Sequence, residues 1–183
     1  MAIVPITLRT HLIPFFFRES KGQEASYGKR RVKSVLLSPT VSSIGTAMRF
    51  LMEKSGYPLP IDNFNLFITV IDNLDKREYK GDFYKHINGA NTFLKLPEEI
   101  NNNINNLFED IFRMAFTQYV NGCRDHYGED SVTGAIDRFI DKYDLLEVGY
   151  CNDTLRRQFY RELEKDALVS RFQNKKNSKV LNS

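Results

Sequence analysis

Residues 64–71 read Phe-Asn-Leu-Phe-Ile-Thr-Val-Ile, and the fold is decided by how these eight residues are interpreted. A strand with one wet face alternates apolar and polar residues, whereas this one is almost continuously apolar and β-branched. That pattern predicts a central strand covered on both faces. It therefore requires a strand on either side and helices packed against the sheet.

The flanking sequence supplies these. Upstream, Ile3-Val4-Pro5-Ile6-Thr7-Leu8 is strand-like, and Pro5 assigns it to a sheet edge or limits its pairing. Val32 to Leu37 is a second strand. Between them, Thr10 is positioned to cap a short helix from His11 to Glu19 with Leu12, Phe15 and Phe16 on one face, and Lys21 to Ser26, which contains Gly22, reads as a turn. Ile44, Ala47, Met48, Leu51 and Met52 recur at helical spacing. Ser43 is the expected cap of that helix, Gly56 its expected C-terminal cap, and Pro58 and Pro60 stop it. The order is strand, helix, strand, helix, strand.

Downstream, Asp72 to Tyr84 is charged and irregular and reads as a loop. From Pro97 the period becomes helical: Ile100, Ile104, Leu107, Phe108, Ile111, Phe112 and Ala115 predict one long amphipathic helix over about 98–120, with Glu98 and Glu99 at the positive end of its dipole. Asn101, Asn102, Asn103, Asn105 and Asn106 are expected mostly on its wet side. Val132, Ala135, Ile136, Phe139, Ile140 and Tyr143 form a second helical stripe, and a final helix, capped by Asn152 or Asp153, is expected to reach about Val169. The predicted class is α+β: a small N-terminal β-α-β-α-β sheet unit over 1–85, a helical part over 86–172 ending in a helix-turn-helix-like hairpin, and a disordered basic tail over 173–183.

Composition narrows the function classes. With 42% hydrophobic and 13% aromatic residues the chain is not collagen-like, mucin-like or wholly disordered. No apolar run approaches the ~18 residues of a membrane span. The apolar start, Met1 to Phe17, is interrupted by Arg9, His11 and Pro14 and is not followed by a small-residue cleavage site, so the expected compartment is the cytoplasm. Cys123 and Cys151 are too few for a disulfide scaffold or a paired zinc motif. The net charge of +3 conceals a division along the chain. Residues 1–59 carry 9 Lys/Arg against 3 Asp/Glu, a charge of +6; residues 60–153 carry 9 against 17, −8; residues 154–183 carry 8 against 3, +5. Basic ends around an acidic middle suit either a polyanion-facing surface or two regions that neutralise each other.

The last two helices give the first alternative a location. If the earlier one runs through Val148, only Gly149-Tyr150-Cys151-Asn152 separates them, a short glycine-containing turn of the kind a helix-turn-helix uses. In the final helix Leu155, Phe159 and Leu163 point inward, which turns Thr154, Arg157, Arg161 and Lys165 outward and leaves Arg156 and Tyr160 at the margin. Arginines one turn apart behind an open helix start can reach guanine edges or phosphates in a major groove. A second basic run, Lys29, Arg30, Arg31 and Lys33 beside Tyr27, can track phosphates or serve as charges that guard a strand edge. The preceding helix opposes the DNA reading, because Asp137, Asp141, Asp144 and Glu147 would be repelled by a phosphate backbone. The expected function is that of a non-enzymatic DNA-binding or DNA-associated protein, with duplex DNA as partner and a homodimer as its assembly. The alternative is an interaction module that assembles through its acidic and basic regions.

Catalytic readings rest on less. Asp72, Asp75, Glu78 and Asp82 with Lys76 and Lys80 follow the central strand, and Glu78-Tyr79-Lys80 has the acid-x-Lys spacing of many metal-dependent nucleases. Cys123, Asp125, His126, Glu129 and Asp130 gather five ligand-type residues but offer no fixed tetrahedral set. A glycine-rich phosphate loop, Gly-x-Ser-x-Gly and His-Glu-x-x-His are all absent, and the sequence implies no cofactor.

Overall fold

In the computed structural model the described residues are 2–27, 30–37, 42–55, 59–60, 65–70 and 93–164. The side chains of Ala2, Ser26, Arg30, Lys54, Thr69, Val70 and Phe93 fall outside the description, as do the expected Gly56 cap, Pro58, the stretch 71–92 and everything after Glu164. The chain divides into two units, Met1–Asn105 and Asn106–Ser183. It is a mixed α+β protein, with strands and helices first and a helical part after them.

The first unit is built around the apolar stretch. Strands β1 (Ala2–Ile6), β2 (Gln23–Tyr27), β3 (Arg30–Leu36) and β5 (Leu66–Val70) form one sheet in the order β1-β5-β3-β2. β4 (Glu53–Ser55) and β6 (Phe93–Lys95) form a separate antiparallel pair. β5 is central, antiparallel to β1 and parallel to β3. Its consecutive residues Leu66, Phe67 and Ile68 are all buried, which on a pleated strand means that both faces are covered. Pro5 lies in the edge strand β1, opposite Phe67. One face gathers Ile3, Ala25, Tyr27, Val32 and Phe67, with the Tyr27 and Phe67 rings 5.2 Å apart. The Tyr27 hydroxyl accepts a bond from Leu59 N–H (3.2 Å), and burial raises its pKa more than that bond lowers it.

The stretch expected to be a turn is instead mostly strand. Residues 23–27 pair antiparallel with β3, Tyr27 opposite Arg30, and the turn shrinks to the end of helix α1 (Leu12–Glu19). There the Gly22 N–H donates to Phe17 C=O (2.6 Å) and the Lys21 N–H to Arg18 C=O (3.2 Å), a Schellman closure with Lys21 in the left-handed region at φ 49°. Thr10 does not cap α1. His11 occupies the N-cap without a side-chain capping bond, and the first turn is closed by the backbone carbonyls of Arg9 and Thr10.

Helix α2 (Ser43–Leu51) is capped one residue earlier than expected, by the Ser42 hydroxyl accepting from Gly45 N–H at 3.0 Å. Its buried side is Gly45 and Met48, and Met52 is buried from an extended residue beyond the helix end. Phe50 and Leu51 stay exposed.

Helix α3 (Glu98–Tyr127) starts in the first unit, where two of its asparagines, the half-buried Asn101 and the buried Asn105, bond to the backbone beyond β1. The Asn101 and Asn105 amides both donate to Thr7 C=O (3.0 and 2.7 Å), and Asn105 Oδ1 accepts from Arg9 N–H (2.9 Å). Asn65 closes both backbone groups of Leu8 (2.8 and 2.7 Å). Side-chain amides thus take the place of a neighbouring strand where β1 ends, since backbone groups must be paired once buried.

The second unit holds the rest of α3, then α4 (Ser131–Lys142), a 3-10 turn (Leu145–Val148) and α5 (Asn152–Leu163). Its core is aromatic: Phe116 lies 5.1 Å from Phe139 and 6.4 Å from Phe159, and Phe139 4.7 Å from Tyr143. The α4 stripe Val132, Ala135, Ile136, Phe139 and Ile140 is buried as its period predicts. α4 does not continue to Val148. It stops at Lys142, Asp144 turns the chain with φ 52°, and Gly149 turns it again with φ 85°. The helices of the hairpin are therefore joined by nine residues that include a 3-10 turn, not by four. α3 and α5 meet partly through polar groups, because Arg113 bonds Glu109 and lies 3.5 Å from Glu162, and both carboxylates are buried.

Candidate nucleic-acid interface

α5 is held by one buried stripe. Leu155 and Phe159 are fully enclosed, Gln158 and Glu162 are buried beside them, and Leu163 is half-buried. At 100° per residue the opposite side must then carry Thr154, Arg157 and Arg161, and all three are exposed. The Arg161 Nε donates to the Arg157 carbonyl at 3.1 Å. Among the described residues no carboxylate lies within ion-pair distance of either arginine. Arg156 is exposed as well, beside Tyr160, whose hydroxyl donates to Glu129 Oε1 at 2.6 Å. That bond raises the Tyr160 pKa, and burial and the Glu129 charge add to the effect.

The start of α5 differs from the expected arrangement. Neither Asn152 nor Asp153 is the N-cap. Cys151 takes that position, with no side-chain cap bond. Asn152 turns instead to α4, donating to Asp137 Oδ1 (2.6 Å) and Thr133 C=O (3.2 Å). The Cys151 sulfur lies 3.3 Å from the Thr154 hydroxyl, and that contact, followed by the Thr154 backbone N–H, lowers its pKa. The acidic α4 residues Asp137 and Asp141 are exposed, and Asp137 sits directly beside the first turn of α5. The arginines are displaced from it toward the other end. Against known proteins, the chain matches no family model, no curated protein and no solved structure.

The second basic run belongs to the first unit. Arg31 is exposed and lies 3.6 Å from Glu24, and Lys33 sits over the Phe17 ring at 5.7 Å with Glu24 opposite it in register. β3 is not an edge strand, since β2 lies outside it. The Arg30 side chain, Lys29 and Lys165 lie outside the described residues, as do the carboxylates at 72–82 with Lys76 and Lys80.

The ligand-type residues at the end of α3 do not converge: among the described residues no three His, Cys, Asp or Glu side chains are placed to hold a metal ion. Cys123 faces an open groove of ≈ 490 Å³ shared with Tyr127, Ser131, Gly134 and Arg138. Arg138 reaches the Cys123 sulfur at 3.9 Å, and contacts to Tyr119 and then Cys123 raise its pKa. The sequence carried one signal for this groove, a glycine inside the α4 pattern, which removes a side chain from the seam. No described helix is long and apolar enough to cross a membrane.

Proposed function

We propose that this is a non-enzymatic, DNA-associated protein that contacts the phosphate backbone and groove of duplex DNA with the outer face of α5. The observation carrying the reading is the pair Arg157 and Arg161, exposed one turn apart without a carboxylate partner among the described residues. Arg156 widens the same face. Asn152, the first residue of α5, is bonded to Asp137, so that end of the helix is less favourable for phosphate, and the arginines carry the contact.

Titration of labelled duplex at low salt tests it. The expected result is micromolar binding that Arg157→Ala with Arg161→Ala weakens alike for all sequences, as the loss of phosphate contacts requires. Absence of binding at micromolar protein, or an affinity untouched by the double substitution, removes the reading.

A further inference from the structure

Polar atoms enclosed in a folded chain are nearly always paired, and each exception calls for a partner. Among the described residues three buried side-chain atoms have none: Thr117 Oγ1, Asn121 Oδ1 and Gln158 Nε2. Thr117 is 2% and Gln158 6% exposed, so bulk water does not serve either side chain. Asn121 is half-buried, and its Nδ2 donates to Asp125 Oδ2 (3.2 Å), which turns its oxygen away from that carboxylate.

The three atoms belong to one seam of the second unit. Thr117 and Asn121 are one turn apart on α3, and one turn earlier on the same face Arg113 lies 3.5 Å from Glu162 of α5. Gln158 is one turn before Glu162 on α5. The residue preceding Thr117 and the residue following Gln158 also meet, with the rings of Phe116 and Phe159 6.4 Å apart. The Arg124 guanidinium lies 5.9 Å from the same Phe159 ring, so that ring runs alongside the stretch 116–124 in which Thr117 and Asn121 stand. Contacts between α3 and α5 therefore bracket all three atoms.

We infer that these atoms form an internal hydration site, in which a single ordered water joins Thr117 and Asn121 of α3 to Gln158 of α5. Their chemistry selects the occupant. Asn121 Oδ1 only accepts, Gln158 Nε2 only donates, and the Thr117 hydroxyl does either. A cation is repelled by the Gln158 N–H and an anion by the Asn121 oxygen. An apolar group leaves all three atoms unpaired. Water accepts from Gln158 Nε2, donates to Asn121 Oδ1 and keeps a bond for Thr117, which makes the three bonds usual for a buried water. Such a bridge is enthalpically close to a direct hydrogen bond, and it ties the buried side of α5 to α3 next to the Arg113–Glu162 pair.

The site lies on the buried side of α5 and is independent of what the outer face of that helix binds. Water-oxygen magnetic relaxation dispersion of the full chain in solution counts long-lived internal waters and tests it. Thr117→Val, which exchanges the hydroxyl for a methyl, is expected to lower the dispersion amplitude by that of one water. Gln158→Met is expected to remove the same water, so the double variant loses no more than either single one. Thr117→Ser keeps the hydroxyl and should retain the native amplitude, which separates a lost hydrogen bond from altered packing. Far-UV circular dichroism and cooperative melting establish that each variant folds, and the two Thr117 variants decide the matter alone if Gln158→Met does not. An amplitude unchanged by Thr117→Val, losses that add in the double variant, or an equal loss in Thr117→Ser would overturn the inference. A native chain with no long-lived internal water would overturn it too.

Discussion

Lys21 and Gly22 show how much a single residue can conceal. A left-handed residue at the end of a helix is ordinarily glycine, yet here the glycine follows the position that needs it. The reason is packing. A Cβ on Gly22 would meet the Phe17 ring at 2.2 Å, so residue 22 must be bare, and Lys21 carries the backbone strain. Lys21→Gly is therefore expected to stabilise the chain by about 0.5–1 kcal/mol, and Gly22→Ala to destabilise it by about 1 kcal/mol or more by driving the Phe17 ring from its place. Urea midpoints at constant slope measure both. In the sequence Gly22 is a clear turn signal, but nothing in it says that the turn ends within a residue. Cys151 is likewise legible only in part. The composition counts it as a spare thiol, whereas the helix start holds its pKa below the ordinary value. Its thiolate form is thus populated at lower pH than that of an ordinary thiol, so alkylation of Cys151 should begin at lower pH, and Thr154→Val should move that onset upward. A rate profile against pH in a Cys123→Ser background checks this.

At the scale of elements, what was legible was whatever a local period or composition dictates. β5, the α4 stripe and the start of α3 at Pro97 are of this kind. β2 was not, because Gln-Glu-Ala-Ser-Tyr has only two apolar residues and becomes a strand through pairing with β3. The burial of Asn105 is not legible because asparagine in a helix is ordinarily wet, and the backbone that it and Asn101 satisfy is more than ninety positions away. Long-range amide pairing leaves no periodic trace. The hairpin differs for a related reason: Asp144, not only Gly149, takes a left-handed conformation, so α4 ends at Lys142, seven residues before the glycine. On the candidate face, by contrast, the outward position of Thr154, Arg157 and Arg161 followed directly from the inward stripe. What anchors that face was not visible. Arg113 stands between two buried carboxylates, so Arg113→Met should leave both without it and cost about 2–3 kcal/mol, less than for a wholly buried pair because the guanidinium is 32% exposed. Thermal or urea unfolding measures that loss.

For the whole molecule, charge counted along the chain and charge arranged in space answer different questions. The basic first segment contains Arg31 and Lys33, and both have Glu24 beside or opposite them. The acidic middle places Asp137 against the start of α5. Arg157 and Arg161 lie within ion-pair distance of no described carboxylate, and they lie on one side of one helix. The central claim is that this side meets phosphates. Its most direct test is the salt dependence of duplex binding, measured for the native chain and for Arg157→Ala with Arg161→Ala. Each phosphate neutralised contributes ~0.9 to the slope of log K against log salt, so the double variant should be shallower by roughly 1.8. Equal slopes for the two proteins would contradict the assignment of phosphate contacts to these arginines.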